Sequence, residues 1–329
     1  MIISRTPFRI SFFGGGTDYP VWYRENPGAV LSTTIDKYCY ITVRYLPPFF
    51  SHKHRIVWSK IELVQDINEI LHPVVKAVLN YLKIDKGVEI HHQGDLPARS
   101  GIGSSSAFTV GLLNALYALK GIIISKERLA KEAIHIERDI LKENVGSQDQ
   151  IAAAFGGFNK ITFNGEDEIE IHPVTIPKER IEELENYLML YFTGLSRTAS
   201  DIAKKQIEMT PLKQRELQRM YQMVDEGIKI LTESSDIKDF GRLLHEAWIF
   251  KRSLTDKIST PEIDKIYESA LKAGAIGGKL LGAGGGGFML LFVPPETQPK
   301  VREKLKNLLE VKFKFERNGS QIIYYAPEI

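Results

Sequence analysis

The sequence predicts an α+β protein built from two domains. Its 329 residues exceed the length at which a single hydrophobic core usually stops growing. The first half mixes strand-like alternation with helical periodicity, and the second half is richer in helix before strands return near the C-terminus. With 43% hydrophobic and 26% charged residues, the composition is that of an ordinary globular protein. We therefore expect two α+β domains, residues 1–185 and 186–329, that share a cleft.

Local patterns predict the individual elements. Segments rich in alternating or continuous apolar residues indicate strands at 8–13, 29–45, 87–92, 158–163, 169–172, 288–293 and 321–325. Helical periodicity indicates helices at 74–82, 107–119, 126–141, 148–155, 200–208, 212–233, 238–254 and 261–273. Ser125 precedes the third of these helices and is a typical N-cap. No Pro-rich or Gly/Ser-rich linker separates the halves, so we expect them to pack directly.

The charge balance and the single cysteine argue against several classes of function. The chain has 43 Lys and Arg against 41 Asp and Glu, so no general attraction to nucleic acid or to an anionic membrane is expected. Cys39 cannot form an intramolecular disulfide, which fits a reducing compartment and a buried structural thiol. The eight histidines lack zinc-site spacing. No signal peptide or bilayer-spanning run is recognisable, and we expect a soluble cytoplasmic protein without nucleic-acid or membrane partners.

The most informative segment, residues 97–106, lies between a predicted strand and a predicted helix. Gly101 and Gly103 permit a tight turn and close approach to a ligand. Three residues would start the helix and present its free N–H groups to phosphate oxygens: Ser104, Ser105 and Ser106. A glycine turn followed by a serine cap is the structural alternative. The pattern is neither a Walker A loop nor the dinucleotide fingerprint, because Gly-Lys-Ser/Thr and the third glycine are missing.

Two further glycine-rich segments lie near the ends of the chain. Residues 14–19 follow the strand that carries Arg9. Asp18 in this turn could hold sugar hydroxyls, or it could simply bond nearby backbone amides. Residues 282–287 contain a literal G-x-G-x-x-G, but an apolar strand follows it instead of the helix that a Rossmann fold requires. This run suits either a flexible hairpin or close approach to a ligand.

Together the three segments resemble the motifs of the galactokinase, homoserine kinase, mevalonate kinase and phosphomevalonate kinase (GHMP) superfamily, in the same order. They are residues 5–19, 97–106 and 279–287. The resemblance implies a two-domain GHMP kinase fold, in which the N-terminal domain resembles domain 2 of ribosomal protein S5 and the C-terminal domain is ferredoxin-like. It also implies an ATP-dependent enzyme that phosphorylates a hydroxyl group, with Mg²⁺ as cofactor.

Within the superfamily, residues 9–18 and 193–199 most resemble the D-glycero-D-manno-heptose 7-phosphate kinases. This resemblance implies that the partners are ATP and a small phosphorylated sugar, whose anomeric hydroxyl is phosphorylated to give the 1,7-bisphosphate. Gly15 and Gly16 stand where galactokinase-like members usually carry Glu-His, and Ser106 replaces a usual alanine. A fucose- or galactose-type sugar 1-kinase and a non-catalytic sugar-binding regulator stay open as alternatives. A homodimer stays open as well.

The resemblance also assigns roles to individual residues. Asp149 matches the catalytic aspartate, which accepts the proton of the acceptor hydroxyl or orients that hydroxyl, although a first-turn helix carboxylate would have the same local sequence. Arg9 matches a basic residue near this aspartate and the transferred phosphate. Ser105 and Glu137 match a magnesium-holding pair, which suffices because Mg²⁺ keeps phosphate and water ligands. A solvated helix face is the alternative for Glu137.

A phosphate on the acceptor would need cations outside the ATP site. Arg197 is the first candidate, and the basic segment 52–55 is the second. A short basic surface loop would explain the second equally well. With the glycine-rich turns included, the predicted substrate-binding residues are Gly15, Gly16, Thr17, Asp18, Arg197, Gly284 and Gly285.

Overall fold

The computed structural model describes residues 1–165, 168–195, 199–233 and 235–327. In this part of the chain there are two β-sheets, one larger and one smaller, together with α-helices. In these ranges the strands are β1 Ile2–Phe13, β2 Gly28–Tyr45, β3 His54–Val57, β4 Ile61–Val64, β5 Val88–Gly94, β6 Phe158–Asn164, β7 Glu168–Pro173, β8 Leu188–Phe192, β9 Gly277–Leu280, β10 Phe288–Phe292, β11 Leu309–Val311, β12 Phe315–Glu316 and β13 Gln321–Tyr325. The α-helices are α1 Pro20–Tyr23, α2 Pro73–Tyr81, α3 Ser104–Leu119, α4 Lys126–Ile134, α5 Gln148–Phe155, α6 Lys178–Tyr187, α7 Ala199–Met209, α8 Gln214–Thr232, α9 Lys238–Ser253, α10 Pro261–Lys272 and α11 Gln298–Lys304.

The larger sheet is organised around β2, a strand of 18 residues. One edge of β2 pairs antiparallel with β1, while the other edge pairs with β6 along its first half and with β5 along its second. The strand order runs β13-β1-β2-β5-β3-β4, and β6, β7 and β12 branch from it. Helices α3, α5 and α8 pack on β1 and β2. The second half of β1 is therefore buried on both faces, and this places Arg9 in the interior.

The smaller sheet has four antiparallel strands in the order β11-β8-β10-β9. All five residues of β10 are buried. Aromatic side chains connect this sheet to the larger one, because the Phe240 ring lies 5.3 Å from Phe12, 5.0 Å from Phe13 and 6.3 Å from Phe292. The two sheets thus share one continuous hydrophobic core.

The last strands depart from the predicted division of the chain. The smaller sheet begins at Leu188, but β12 pairs with β2 and β13 pairs with β1 in the larger sheet. The end of the predicted segment 186–329 thus belongs to the first sheet, where β13 covers the otherwise unpaired edge of β1. The boundary at residue 185 stays a prediction.

The helix predicted over 126–141 changes its geometry part-way. Its N-cap prediction agrees with the structure, since the Ser125 hydroxyl accepts a hydrogen bond from the Arg128 amide at 3.2 Å. After Ile134, residues His135–Ile140 form a π-helical turn. Such turns are frequent at functional sites, and this one carries Glu137.

Shorter elements escaped prediction, including β3, β4, β8, β9, β11 and β12. Two to five residues carry too little periodicity to distinguish a strand from a loop. Cys39 is buried in β2 as expected. Among the helices of the described ranges, none is both long and apolar enough to cross a bilayer.

Candidate active site

A cleft of about 310 Å³ opens where the three glycine-rich segments meet. Its walls are the second half of β1 and the turn after it, the loops before α3 and α5, the start of the third glycine-rich run, and parts of α7 and α9. The residues predicted from the sequence that line this cleft are Arg9, Gly15, Gly16, Asp18, Gly101, Gly103, Ser104, Ser105, Ser106 and Asp149. Predicted residues that lie as far apart in the chain as Arg9 and Asp149 thus form one surface.

An arginine–carboxylate pair lies at the centre of the cleft. Arg9 donates from Nε to Asp149 Oδ1 at 2.7 Å and from Nη2 to Oδ2 at 3.0 Å. Its Nη1 donates to the Gly101 carbonyl oxygen at 2.8 Å. The Arg9 side chain is 5% exposed and that of Asp149 is 26% exposed. This bidentate geometry fixes the orientation of the Asp149 carboxylate while leaving part of it open to the cleft.

The loop before α3 presents an open helix N-terminus. Gly103 is the N-cap residue with φ +72°, and no side chain caps the helix there. The Ser104 hydroxyl instead accepts a hydrogen bond from the Arg99 amide at 3.0 Å. A Cβ on Gly103 would lie 3.1 Å from Arg9 Cγ and 3.5 Å from the Asp149 carboxylate. The geometry favours an anion site beside the arginine–carboxylate pair over a closed serine cap.

The third glycine-rich run packs directly on residues 97–106, the predicted phosphate loop. A Cβ on Gly101 would lie 2.4 Å from the Leu281 carbonyl oxygen, and one on Gly282 would lie 2.4 Å from Gly101 Cα. The Phe288 amide also donates to the Ser100 carbonyl oxygen at 3.1 Å. Contact between two backbones, which only glycine permits, therefore explains much of the glycine density.

Two other predicted substrate-binding glycines do not line the cleft. Gly285 donates its amide to the Ile258 carbonyl oxygen at 2.8 Å, and a Cβ on Gly284 would lie 2.7 Å from the same oxygen. In this run the cleft is lined by Gly282 and Ala283. Gly284 and Gly285 thus pack against the segment after α9, and their contact with substrate stays a prediction.

Thr17 also has a structural task. It is fully buried, and its hydroxyl lies 2.8 Å from the Gly14 carbonyl oxygen and 2.9 Å from that of Ala29. The hydroxyl oxygen of Thr17 also accepts a hydrogen bond from the Ala29 amide at 3.0 Å. These bonds attach the first turn to β2 and occupy the Thr17 hydroxyl, while its contact with substrate stays a prediction.

Asp18 joins the first turn to the loop that carries Asp149. Its Oδ1 accepts a hydrogen bond from the Gly16 amide at 2.9 Å, and its carbonyl oxygen accepts one from the Ser147 amide at 3.0 Å. Burial raises the pKa of the Asp18 carboxyl, and the charge of Asp149 adds to the increase. Asp18 thus bonds nearby amides, as the structural alternative holds, and also lines the cleft.

The predicted metal residues occupy different environments. Ser105 is exposed in the cleft, whereas Glu137 is fully buried and therefore does not lie on a solvated helix face. Glu137 Oε2 accepts hydrogen bonds from Ser106 Oγ at 2.9 Å and Gln150 Nε2 at 2.6 Å. Burial raises the pKa of Glu137 to about 7. In the described ranges, Glu137 Oε1 has no hydrogen-bond partner, and no group of three or more His, Cys, Asp or Glu could hold a metal.

Of the two predicted cation sites for an acceptor phosphate, the basic segment 52–55 does not line the cleft. Arg197 lies outside the described residues. In the basic segment 52–55, His52 and Arg55 line a second, separate cavity, and Arg55 pairs with Glu89 at 3.2 Å. His54 and Arg55 begin β3, and His54 is buried, so the segment is not simply a short surface loop either.

The sequence analysis missed two buried lysines on the cleft wall. Lys251 on α9 donates to the carbonyl oxygens of Leu280, at 3.1 Å, and Gly282, and Lys279 on β9 donates to Phe12 O at 2.8 Å. Burial, followed by the charge of Arg9, lowers the pKa of Lys251 to about 7. Burial also lowers the pKa of Lys279, well below its ordinary value.

A signal for one of these lysines is present in the sequence. Lys251 continues the buried face of α9 after Leu244, Ala247 and Trp248, at helical spacing. A cation in an apolar stripe is a position where burial needs a compensating partner. Lys279 lies in the third motif itself but has no local feature that predicts its burial.

Comparison with known proteins supports the motif resemblance. Family models of the GHMP kinase N-terminal and C-terminal domains match residues 68–157 and 228–311. The D-glycero-alpha-D-manno-heptose 7-phosphate kinase of Campylobacter jejuni is 31% identical over 318 residues, which cover 93% of each chain. A galactokinase of Thermococcus kodakarensis is 27% identical over 88% of each chain.

Solved structures share the whole fold. A D-glycero-D-manno-heptose 1-phosphate kinase from Bacteroides thetaiotaomicron superposes with a TM-score of 0.81 at 24% identity, covering 98% of this chain and 99% of the other. The predicted two-domain α+β GHMP kinase fold is thereby confirmed. Family models match in both halves, and a relative is similar over nearly the full length, so the chain belongs to the GHMP kinases and is an ATP-dependent kinase.

Proposed function

We propose that the enzyme transfers the γ-phosphate of ATP to the anomeric hydroxyl of D-glycero-D-manno-heptose 7-phosphate and so forms the 1,7-bisphosphate. The observation that carries the chemistry is the Arg9–Asp149 pair, whose carboxylate lies 3.5 Å from the position of a Cβ on Gly103 in the phosphate loop. The choice of acceptor is supported by 31% identity over 93% of the chain to a heptose 7-phosphate kinase.

The reaction requires an acceptor oxygen in line with the γ-phosphorus and groups that neutralise the spreading charge. Asp149 takes the proton of the acceptor hydroxyl, or orients it, while the oxygen attacks phosphorus and the bond to the bridging oxygen of ADP breaks. Arg9 holds this carboxylate in one orientation and adds a fixed positive charge beside the transferring group. The amides at the start of α3 receive the phosphate oxygens.

The donor set also fits the proposed Mg²⁺. Glu137 has a buried carboxylate oxygen without a partner among the described residues, and the Ser105 hydroxyl lies in the cleft. A bound cation would favour the ionised form of Glu137, and the remaining ligands would be phosphate oxygens and water. The metal would neutralise charge on the ATP phosphates.

Polar groups without partners make the cleft suitable for a hydroxyl-rich acceptor. In the described part of the chain, Ser11 Oγ and Gln148 Oε1 are buried without a hydrogen-bond partner, and both residues line the cleft beside Asp18. Buried polar atoms normally find partners. Sugar hydroxyls, which both donate and accept, would satisfy them.

Replacing Arg9 by lysine should lower turnover about a hundredfold, because lysine keeps the charge but loses the planar fork that positions Asp149. Steady-state kinetics would measure this loss, with the KM for ATP changing less than kcat. Arg5 offers a matched control on the same strand, since it bonds Gln321 and stacks over Tyr38 away from the cleft. Arg5→Lys should keep wild-type turnover, and an equal loss in both variants would remove Arg9 from the mechanism.

The acceptor can be tested directly. The purified enzyme with Mg·ATP should release ADP in the presence of the heptose 7-phosphate, and ³¹P NMR should show a new phosphate on the anomeric oxygen. Mannose, fucose and galactose serve as the comparison. Turnover with the free sugars alone would support a sugar kinase with a different acceptor. No turnover with any of the sugars would favour a non-catalytic regulator.

A further inference from the structure

Two lysines are buried in the cleft wall without an acidic partner. Lys251 is 6% exposed and Lys279 is 3% exposed. Within the described ranges, neither ammonium group has a carboxylate oxygen within 4.0 Å. Buried charges are normally paired because desolvation is expensive. Arg9 nearby repels both ammonium groups, while Asp18, and for Lys251 also Asp149, attract them from beyond hydrogen-bond distance.

Among the described residues, the contacts of these lysines leave hydrogen-bond donors unused. In its charged form, which a bound anion would favour against the effect of burial, each lysine has three N–H donors. Lys251 donates to two carbonyl oxygens, of Leu280 and Gly282, which leaves one donor. Lys279 donates to one, of Phe12, which leaves two. Buried donors without acceptors destabilise a structure, and both side chains line the cleft. The arrangement therefore lacks an anionic acceptor that a ligand could supply.

We propose that Lys251 and Lys279 form a phosphate-binding subsite between the end of β1 and the third glycine-rich run, an inference that rests on the proposed action on a phosphorylated sugar. A phosphate group carries negative charge and several acceptor oxygens, so one phosphate can accept hydrogen bonds from both ammonium groups at once. Two sources share this chemistry: the phosphate already on the acceptor and the phosphoryl group being transferred from ATP.

A purely structural role for the lysines makes a different prediction. Their bonds to the carbonyl oxygens of Phe12, Leu280 and Gly282 could serve only to hold the chain near the third glycine-rich run. In that case removal of either ammonium would lower stability without a selective effect on phosphate ligands. Lys120 provides the matched comparison, because it donates to the Leu82 carbonyl oxygen at 2.9 Å and does not line the cleft.

The test compares Lys251→Met and Lys279→Met with Lys120→Met. Calorimetric titrations with inorganic phosphate, the heptose 7-phosphate, Mg·ATP and Mg·ADP should show a loss of about tenfold to a hundredfold for one phosphate ligand in the two cleft variants, the scale of a charged hydrogen bond. Weaker binding of the sugar phosphate identifies the acceptor phosphate as the source. Loss of the difference in affinity between Mg·ATP and Mg·ADP identifies the phosphoryl group transferred from ATP as the source. Affinities that match those of Lys120→Met overturn the subsite.

A measurement on the wild-type enzyme covers the case in which a methionine variant does not fold. Limited acetylation followed by peptide mass spectrometry should label Lys251 and Lys279 less when inorganic phosphate is present, and equal labelling would contradict the subsite. Because phosphate binding is measured without catalysis, the outcome is separate from that of the acceptor test. Lysine-dependent phosphate binding in an enzyme that ignores the heptose phosphate would keep the subsite and discard the proposed acceptor.

Discussion

Asp149→Asn should lower turnover by about a hundredfold or more, the usual range for a positioned acid or base. The amide has nearly the same shape and keeps an oxygen that can accept one hydrogen bond from Arg9, but it cannot take a proton from the acceptor hydroxyl. The affinity for ATP should change little, because in the proposed mechanism the amides at the start of α3 hold the phosphates. Steady-state kinetics and calorimetric titration of Mg·ATP on the same preparation would measure the two quantities.

Asp264 supplies a closely matched control for this substitution. It also lies in the first turn of a helix and accepts a hydrogen bond from an arginine, Arg252, at 2.8 Å, but it does not line the cleft. Asp264→Asn should therefore retain turnover. Wild-type turnover in Asp149→Asn would remove the residue from the chemistry, while equal losses in the two variants would attribute the effect to a lost ion pair.

Gly101→Ala should weaken ATP binding by more than tenfold and lower the free energy of unfolding. Gly101 has φ +83°, where a Cβ costs roughly 1–2 kcal/mol. The added methyl group would also lie 2.4 Å from the Leu281 carbonyl oxygen. Since both partners are backbone, the phosphate loop and the third glycine-rich run would have to separate. Titration of Mg·ATP and urea unfolding would measure the two effects.

Gly121→Ala separates backbone strain from loop packing. Gly121 has φ +71°, similar to Gly101, but a Cβ there would meet no atom within 4 Å. This control should show the strain alone and keep its affinity for ATP. If both alanine variants bound ATP with the same affinity, the contact between the two loops would not support the phosphate site.

Local patterns were sufficient for the features that depend on neighbouring residues. The helical periodicity of α8 and the N-cap at Ser125 could be read from short windows, because capping and amphipathicity are properties of one segment. The three glycine-rich segments could likewise be recognised, and their resemblance to GHMP kinase motifs indicated that Arg9 and Asp149 act together. These residues are 140 positions apart along the chain, and their hydrogen bond of 2.7 Å could not be derived from either segment alone.

Long-range packing determined the rest. Thr17, Gly284 and Gly285 lie in motifs that suggest ligand contact, yet the β2 strand and the Ile258 segment occupy the space around them. Conversely, Lys251 lies outside the three motifs, and it lines the cleft because α9 packs against β9 and β1. The sequence shows which groups are present and how each helix or strand presents them. Burial and proximity arise from tertiary contacts between distant segments, and these set the desolvation and charge environment of Lys251.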